Sequence, residues 1–213
     1  MPNIDFTALR DQMVEHQIAA RGVRDPAVLA AMRSVPREAF VSLESAFQAY
    51  ADRPLPIGEG QTISQPYVVA LMCEVLRLGG GERVLDIGTG SGYAAAVLSR
   101  IAAEVYTVER HQSLLQVACE RFHTLSYRNI HSRRGDGTLG WPEHAPFAGI
   151  MVAAGVSRIP PALYEQLALG GRLVIPVETD AHRQILICDT KRSNDRFERE
   201  NLGGVRFVPL IDD

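Results

Sequence analysis

The segment Val84–Tyr93, with the sequence VLDIGTGSGY, constrains the fold of this chain most. Arg83–Ile87 is apolar enough for a buried parallel strand, and Tyr93–Ile101 has the pattern of a following helix. The glycines between these two elements carry no β-carbon, so a ligand can approach the backbone of the turn closely. The segment therefore predicts a strand–turn–helix unit of an α/β fold, with a nucleotide-like ligand bound at the turn.

The spacing of these glycines, G-x-G-x-G, differs from the G-x-G-x-x-G pattern of nicotinamide-binding folds. An ionisable residue, Asp86, stands near the end of the strand, and its carboxylate can attract the positively charged methionine portion of S-adenosylmethionine. We therefore expect S-adenosylmethionine as the cofactor, with the turn residues Gly88, Thr89, Gly90 and Ser91 in its site. A nicotinamide cofactor and a tight turn without a ligand are the alternatives.

The composition predicts one globular domain. With 213 residues, of which 46% are hydrophobic, the chain can bury a sizeable core. We expect a single domain over 1–213, made of N-terminal helices and a long loop (1–80), a cofactor-binding core (81–178) and a C-terminal hairpin (179–213). The net charge of -3 provides no broad basic surface for nucleic acid.

The N-terminus lacks the pattern of a secretory signal, and no apolar run reaches membrane-spanning length. We therefore expect a cytoplasmic protein and a monomer, with neither a membrane nor nucleic acid among its partners. Cys73, Cys119 and Cys188 are far apart in apolar surroundings, which favours reduced core cysteines over disulfides or metal ligands. The histidines show no paired spacing typical of metal sites, so we expect no metal.

Helices and one long loop are predicted before the glycine-rich turn. Residues 5–21 have the pattern of an amphipathic helix that Gly22 ends, and Asp25–Met32 begins with the cap and first turn of a second helix. Prolines and glycines follow in close succession over 53–65, with little hydrophobic periodicity, which predicts a loop. A third helix is expected over 66–78.

After the turn, strands and helices alternate, which predicts a parallel sheet with helices on both faces. Two final extended segments are joined by a connection too short for a crossover helix, and we expect them to form an antiparallel hairpin at the sheet edge. The fold class is therefore α/β, with a doubly wound, mostly parallel Rossmann-like sheet and an N-terminal helical extension. The predicted strands are 104–108, 129–134, 147–153 and 172–177, the helices 112–125 and 160–169, and the hairpin segments 184–189 and 205–211.

Three acidic residues, Asp86, Glu109 and Asp136, lie at the ends of successive strands. Since the carboxyl ends of parallel strands meet where open α/β sheets bind ligands, we expect the three carboxylates to converge in the cofactor site. Glu109, next to Arg110, stands where doubly wound folds bind the hydroxyls of a ribose, and Asp136-Gly137 stands where an adenine amino group needs an acceptor. A surface glutamate and an aspartate in a glycine turn are the alternative interpretations.

The long loop contains Gly60-Gln61-Thr62-Ile63-Ser64-Gln65-Pro66, and long ordered loops are often functional. Together with the glycine-rich turn, this stretch closely resembles the protein-L-isoaspartate O-methyltransferases, whose hallmark is Gly-Gln-Thr-Ile-Ser-x-Pro. From composition alone, Ser64 would be taken as the cap of the following helix. The similarity extends over nearly the whole chain and includes the stretches 35–41, 134–137, 167–173 and 205–210.

The resemblance implies an S-adenosylmethionine-dependent methyltransferase fold. It also implies methylation of the α-carboxylate of L-isoaspartyl residues in damaged proteins and peptides, which would be the partners of this chain. The ester would close to a succinimide, whose hydrolysis returns some normal aspartate. Ser64 becomes the catalytic-site hydroxyl and Thr62 a second hydrogen-bond donor to the carboxylate. The other implied site residues are Gln61 and Ile63 over the cofactor, and Tyr67, Val205 and Phe207, the last two through their backbone, at the substrate.

Two departures from the family pattern leave alternatives open. Ala148 stands where the family usually has an aspartate, and the chain ends at Asp213, shortly after Pro209-Leu210. The missing acid could remove only a structural hydrogen bond, weaken the cofactor pocket or indicate a different substrate. A methyltransferase dedicated to one peptide or small acid, and a module that binds the cofactor without turnover, are therefore the competing hypotheses.

Overall fold

The structure is a computed structural model that describes residues 4–179 and 183–210. Its N-terminal part is helical, as predicted. The Asp5 side chain caps α1 (Phe6–Gln12), and further helical turns continue from α1 until Gly22 ends them with a φ of 101°. Asp25 caps α2 (Pro26–Ser34) through its carboxylate, again as predicted.

The predicted loop over 53–65 is instead a short antiparallel hairpin, formed by β1 (Leu55–Gly58) and β2 (Gln61–Ile63). Strands of 4 and 3 residues are too short to show a hydrophobic alternation, so the sequence pattern missed them. The next helix, α3 (Pro66–Leu76), begins where predicted. It ends earlier because Arg77 adopts a left-handed φ of 52°.

A seven-stranded sheet follows. Its strands are β3 (Arg83–Ile87), β4 (Glu104–Glu109), β5 (Ile130–Arg134), β6 (Phe147–Val152), β7 (Leu167–Glu178), β8 (Gln184–Ser193) and β9 (Arg196–Val205), and the helices along this part are α4 (Tyr93–Leu98), α5 (Gln112–Thr124) and α6 (Pro161–Glu165). The strand order is β5-β4-β3-β6-β7-β8-β9, with β8 and β9 antiparallel to their neighbours and the other pairs parallel. The predicted doubly wound, mostly parallel sheet with an antiparallel edge is confirmed.

The sheet is buried on both faces. Along β3, Val84 belongs to a core shared with the N-terminal helices, α3, α4 and α5, whereas Leu85 and Ile87 belong to a second core with α6. Alternate residues of a strand point to opposite faces, so a parallel strand covered on both sides is apolar at nearly every position. Within β3, Arg83 at the start is exposed, and the one polar residue among the buried positions is Asp86.

All three cysteines are free thiols, with Cys73 and Cys188 buried and Cys119 partly exposed. In residues 4–179 and 183–210, no three or more His, Cys, Asp or Glu side chains come together in a way that could hold a metal ion. Nor does any helix of these residues have both the length and the apolar character needed to cross a bilayer.

The predicted helix over 160–169 was too long. α6 ends at Glu165, and β7 already begins at Leu167, which pairs with Phe147 of β6. Gly170 and Gly171, which follow the predicted helix and are a typical helix end, lie inside β7 instead. A β-carbon on Gly171 would stand 2.8 Å from the Ala168 carbonyl oxygen, so the strand irregularity there needs a glycine.

The predicted C-terminal hairpin was placed wrongly along the chain. β8 pairs with β9, most of which was expected to be a connection, and of the described residues 205–210 only Val205 takes part in this pairing. An exposed edge strand carries polar and charged side chains, and for that reason β9 resembles a loop in sequence. The segment after Val205 leaves the sheet, and Ile211 lies outside the described residues. Hydrogen bonds of Gly155 with Val208 and Leu210, at 2.8 and 2.7 Å, hold this segment across the carboxyl end of β6.

Gly92, at the start of α4, combines a φ of 90° with a close approach: a β-carbon there would stand 2.7 Å from the buried Phe122 ring. We predict that Gly92→Ala lowers the free energy of unfolding by about 3 kcal/mol, through left-handed strain and overpacking together. Gly22→Ala is the matched control, because Gly22 has a φ of 101° and nothing within 4 Å of a β-carbon. It should cost only about 1 kcal/mol. Urea denaturation measures both, and equal losses would contradict the role given to Phe122.

Candidate active site

Two neighbouring cavities open at the carboxyl ends of the parallel strands. The first has an empty volume of about 790 Å³, part of it open to solvent. It lies between the glycine-rich turn after β3, the end of β4 and the β1–β2 hairpin. Most of the predicted cofactor residues line it: Gln61, Ile63, Gly88, Thr89, Gly90, Ser91, Glu109, Arg110 and Gly137.

The backbone of the glycine-rich turn is held from two sides. The N–H groups of Gly88 and Thr89 donate to the Val108 carbonyl of β4 at 2.9 and 3.3 Å. On the other side, a β-carbon at Gly90 would stand 3.3 Å from Cδ1 of Ile57 in β1. The hairpin therefore packs directly on the turn, and a side chain at this position would push the two apart.

Glu109 joins the turn to β4. Its Oε2 accepts the N–H of Gly90 at 2.8 Å and its Oε1 accepts the N–H of His111 at 2.9 Å. The side chain is nearly buried and faces the first cavity. Each carboxylate oxygen can accept a second hydrogen bond. Glu109 can thus support the turn and still accept hydrogen bonds from ligand hydroxyls, as the sequence predicted for a ribose.

Asp86 lies beneath the turn and is not one of the residues that line the first cavity. Its Oδ2 accepts a hydrogen bond from the Thr107 hydroxyl at 2.7 Å, and Thr107 is 2.6 Å from the hydroxyl of Thr89, which does line the cavity. Oδ1 has no hydrogen-bond partner among the described residues. Burial raises the pKa of this carboxyl to about 7, against the opposing effect of the Thr107 hydrogen bond. A buried acid with one unpartnered oxygen fits a positively charged cofactor nearby, and direct contact stays a prediction.

Asp136 adopts the alternative role that the sequence allowed. Its Oδ1 accepts the N–H of Thr138 at 2.8 Å and caps the turn Gly137–Leu139, and the carboxylate does not line the first cavity. Only the following Gly137 does so. The predicted contact of Asp136 with adenine therefore stays a prediction.

The second cavity adjoins the first and has an empty volume of about 630 Å³. Thr62, Ser64, Ala153 and Val208 line both cavities, so they form a shared wall between them. The residues that line only the second cavity are Pro54, Gln65, Val68, Gly204, Val205, Arg206 and Phe207. Val205 and Phe207, the predicted substrate residues, are thus both at this cavity.

The backbone of Phe207 is not open to a peptide in the way predicted. Its N–H donates to Oε1 of Gln184 at 2.6 Å, and its carbonyl accepts from Nε2 of the same side chain at 3.1 Å. Phe207 can therefore serve the second cavity only through its side chain and the remaining lone pair of its carbonyl.

The Ser64 hydroxyl does not cap α3. The cap position is Gln65, which makes no capping bond with its own side chain, and the free N–H of Tyr67 is bonded by Asp52 instead, at 3.1 Å. Within the described residues, the hydroxyls of Ser64 and Thr62 form no hydrogen bond. Both are thus available to a ligand at the shared wall, and the alternative interpretation of Ser64 as a helix cap is wrong.

Tyr67 and Ala148 stand apart from both cavities. Tyr67 lines neither, and its ring lies under the Arg21 guanidinium, whose carbon is 3.5 Å from the ring centroid. Ala148 is the second residue of β6, near the end of the strand opposite to the cavities. Ala148, which differs from the usual family residue, therefore does not line the first cavity.

Sequence reasoning missed several lining residues of the first cavity. Ala153 and Ala154 directly follow β6, so the end of the fourth predicted strand could have indicated them. His111 follows Glu109 by two positions. Ile87 and Val108 lie at or next to the ends of β3 and β4. The others come from helix starts or from the segment after β9: Val69, Tyr93, Ala94, Val208, Pro209 and Leu210.

Sequence comparison finds similar proteins over nearly the full chain. A family model described as protein-L-isoaspartate(D-aspartate) O-methyltransferase matches residues 8–213. The chain is 56% identical to protein-L-isoaspartate O-methyltransferase 2 of Pelobacter propionicus, over 95% of this chain and 90% of that protein. It is 57% identical to protein-L-isoaspartate O-methyltransferase 1 of Rhodopseudomonas palustris, over 98% of this chain and 85% of that protein.

Solved structures give the same result. A protein-L-isoaspartate O-methyltransferase superimposes with a TM-score of 0.87 at 30% identity, over 95% of this chain and 66% of that one. A second structure, from Plasmodium falciparum, is described as a protein-L-isoaspartate O-methyltransferase in complex with S-adenosyl-L-homocysteine. It superimposes with a TM-score of 0.82 at 27% identity, over 96% of this chain and 99% of that one.

The buried carboxyl of Asp86 predicts an unusual pH dependence of stability. An acid whose pKa rises to about 7 on folding binds its proton more tightly in the folded than in the unfolded state. Its contribution to stability is therefore lost as the pH rises from about 4 to 7. Between pH 5 and pH 8, we predict that Asp86→Asn gains on the order of 2 kcal/mol of unfolding free energy relative to the unmodified protein.

Urea denaturation of the cofactor-free protein at the two pH values measures this change. Asp195→Asn, which removes an exposed carboxylate, controls for the net charge. If the difference in unfolding free energy between Asp86→Asn and the unmodified protein were the same at pH 5 and pH 8, the raised pKa would be ruled out.

Proposed function

The chain belongs to the protein-L-isoaspartate(D-aspartate) O-methyltransferase family, and we propose that it methylates the α-carboxylate of L-isoaspartyl residues in damaged proteins and peptides. The methyl donor is S-adenosylmethionine, and the ester starts repair through a succinimide. One observation carries the assignment of the site: Ser64 and Thr62, two residues with hydroxyl side chains, line both the cavity at the glycine-rich turn and the second cavity beside it. A methyl group that moves from a ligand in the first cavity to a ligand in the second passes the residues that line both.

The chemistry makes modest demands on the protein. S-adenosylmethionine supplies a methyl carbon bound to a positively charged sulfur, which a carboxylate oxygen can displace. An α-carboxylate has a pKa of about 3.5, so it is already ionised at neutral pH and needs no general base. The residues of this chain then have to orient the reacting groups and exclude water. Together these two effects can lower the activation free energy by several kcal/mol.

Ser64 and Thr62 would orient the substrate. Both hydroxyls are without a hydrogen-bond partner among the described residues, and each can donate to a carboxylate oxygen at the shared wall. A hydroxyl donor holds the carboxylate without neutralising it, so the oxygen that attacks keeps its charge. Beside them, the buried Ile63 and Val69 give the first cavity an apolar wall that excludes water.

The cofactor would be held by groups that the fold already fixes. Glu109 offers its remaining lone pairs to the hydroxyls of a ribose, and the turn Gly88–Ser91 offers backbone without side-chain obstruction. The negative charge of Asp86, beneath the turn, would favour the cationic end of the cofactor. The hairpin residues Gln61 and Ile63 line the same cavity and would close over it.

The second cavity would take the peptide. Val205 and Phe207 line it next to the exposed Arg206, which places a positive charge at the rim. The reacting group of the substrate is an anion, and a cation at the rim attracts it. Sequence reasoning named the neighbours of Arg206 and not Arg206 itself, although it lies between them.

We predict that the protein transfers label from S-adenosylmethionine to a peptide with an L-isoaspartyl residue and not to the same peptide with aspartate. The difference follows from the position of the carboxylate, which only the isoaspartyl linkage presents as an α-carboxylate. Scintillation counting of base-labile methyl groups measures the transfer. Equal labelling of the two peptides would contradict the proposal, as would calorimetric binding of S-adenosylmethionine without any transfer, which is the behaviour of a non-catalytic module.

We predict that Ser64→Ala lowers kcat for the isoaspartyl peptide about 10- to 100-fold, the effect of losing one hydrogen bond to a charged group. The affinity for S-adenosylhomocysteine, measured by calorimetry, should change less than about twofold, because Ser64 lies at the wall and not at the turn. Ser91→Ala is the matched control, since Ser91 lines the first cavity only. It should alter cofactor affinity more than kcat. An unchanged kcat in Ser64→Ala would remove this residue from the reaction.

A further inference from the structure

The carboxylate of Asp52 collects three hydrogen bonds from distant parts of the chain. Its Oδ2 accepts Nη1 of Arg21 at 2.6 Å and Nε2 of Gln65 at 2.6 Å, and its Oδ1 accepts the N–H of Tyr67 at 3.1 Å. The side chain is 20% exposed, so these bonds are partly shielded from water. Charge-assisted hydrogen bonds of this kind are short and about twice as strong as neutral ones.

Arg21 contacts both Asp52 and Tyr67. Its guanidinium carbon lies 3.5 Å from the centroid of the Tyr67 ring while its Nη1 binds Asp52. A planar guanidinium can stack on an aromatic ring and donate to a carboxylate at the same time, which an ammonium group cannot do equally well. Arg21 and Asp52 together are called the clamp below.

The clamp acts at the start of α3, directly after the Ser64 hydroxyl. Pro66 has no N–H, and no side chain of the helix start caps α3. Asp52 supplies the missing acceptor for Tyr67, and a carboxylate at a helix N-terminus is favourable. Gln65, which the clamp also binds, adjoins Ser64 in the chain and lines the second cavity with it.

We propose that Arg21 and Asp52 are positioning residues for the methyl transfer, because they fix Gln65 and Tyr67 and thereby the place of the Ser64 hydroxyl. Neither residue lines either cavity. The inference rests on the proposed function, in which Ser64 orients the substrate carboxylate. Misplacement of an orienting group by about 1 Å can cost as much as 100-fold in rate.

The test compares Asp52→Ala with Glu74→Ala. Glu74 also joins α3 to the N-terminal helices, accepting the N–H groups of Arg24 and Asp25 at 2.5 and 2.7 Å, but it lies at the far end of α3 from Ser64. Both variants should lower the melting temperature. Only Asp52→Ala should lower kcat for an isoaspartyl peptide, by about tenfold or more, with the Kd for S-adenosylhomocysteine changed less than about twofold. Asp52→Asn keeps an acceptor for Tyr67 and should recover part of the loss.

Arg21→Ala and the double variant Arg21→Ala/Asp52→Ala test whether the clamp is one unit. The double variant should lose no more kcat than Asp52→Ala alone, because the two residues act through the same contact. The proposal would be overturned if Asp52→Ala and Glu74→Ala lowered kcat in the same proportion to their losses in melting temperature. It would also be overturned if the fold-losses in kcat of the two single variants multiplied in the double variant.

Hydrogen exchange separates failure of this inference from failure of the proposed function. In the free protein, Asp52→Ala should speed the exchange of the Tyr67 amide, whose N–H Asp52 accepts, about tenfold, and Glu74→Ala should leave it unchanged. If the unmodified protein methylates no isoaspartyl peptide, the proposed function fails and the positioning role fails with it, whatever the exchange rates are. If the unmodified protein is active and neither exchange nor kcat responds to Asp52→Ala, only the clamp is refuted.

Discussion

The hydrogen bond between the Gly90 N–H and the Glu109 carboxylate, at 2.8 Å, is the interaction on which the site depends. It joins the turn after one parallel strand to the end of the next, and both ends reach the same edge of the sheet because the strands run parallel in register. The turn thus gains a fixed shape from a group that also faces the cavity. A change at Glu109 would disturb the shape of the turn and the ligand contact together.

The sequence was most informative where one pattern determined one structure. The strand 83–87 and its glycine-rich turn lie where predicted, because a buried parallel strand and a glycine turn leave few other arrangements. Prediction failed where a distant residue decided the local structure. Ser64 was a plausible helix cap until Asp52, remote in sequence, took that role, and β9 resembled a loop because an edge strand is polar. The same limit applies to Asp136, since either role suits an aspartate between two glycines.

Asp86 is a buried acid whose ionised form costs stability. This carboxyl lies in the middle of an apolar strand, is fully buried and has one oxygen without a hydrogen-bond partner among residues 4–179 and 183–210, so it opposes folding at neutral pH. The Thr107 hydroxyl offsets only part of the desolvation, and the pKa stays raised. A positive charge brought close would favour the ionised form and so reverse the penalty. The ionised Asp86 would thus destabilise the free protein and, by attracting the cationic cofactor, stabilise the complex.

The two halves of the site come from different kinds of structure. The cofactor cavity is built largely on turns that the parallel sheet fixes, whereas the second cavity is lined by the loop around Ser64 and by the segment after β9. Neither of these two segments belongs to the parallel strands, so side chains there can change without disturbing the turn after β3. Substrate preference can therefore diverge while cofactor binding is kept. Ala148 lies near the opposite end of β6 and lines neither cavity.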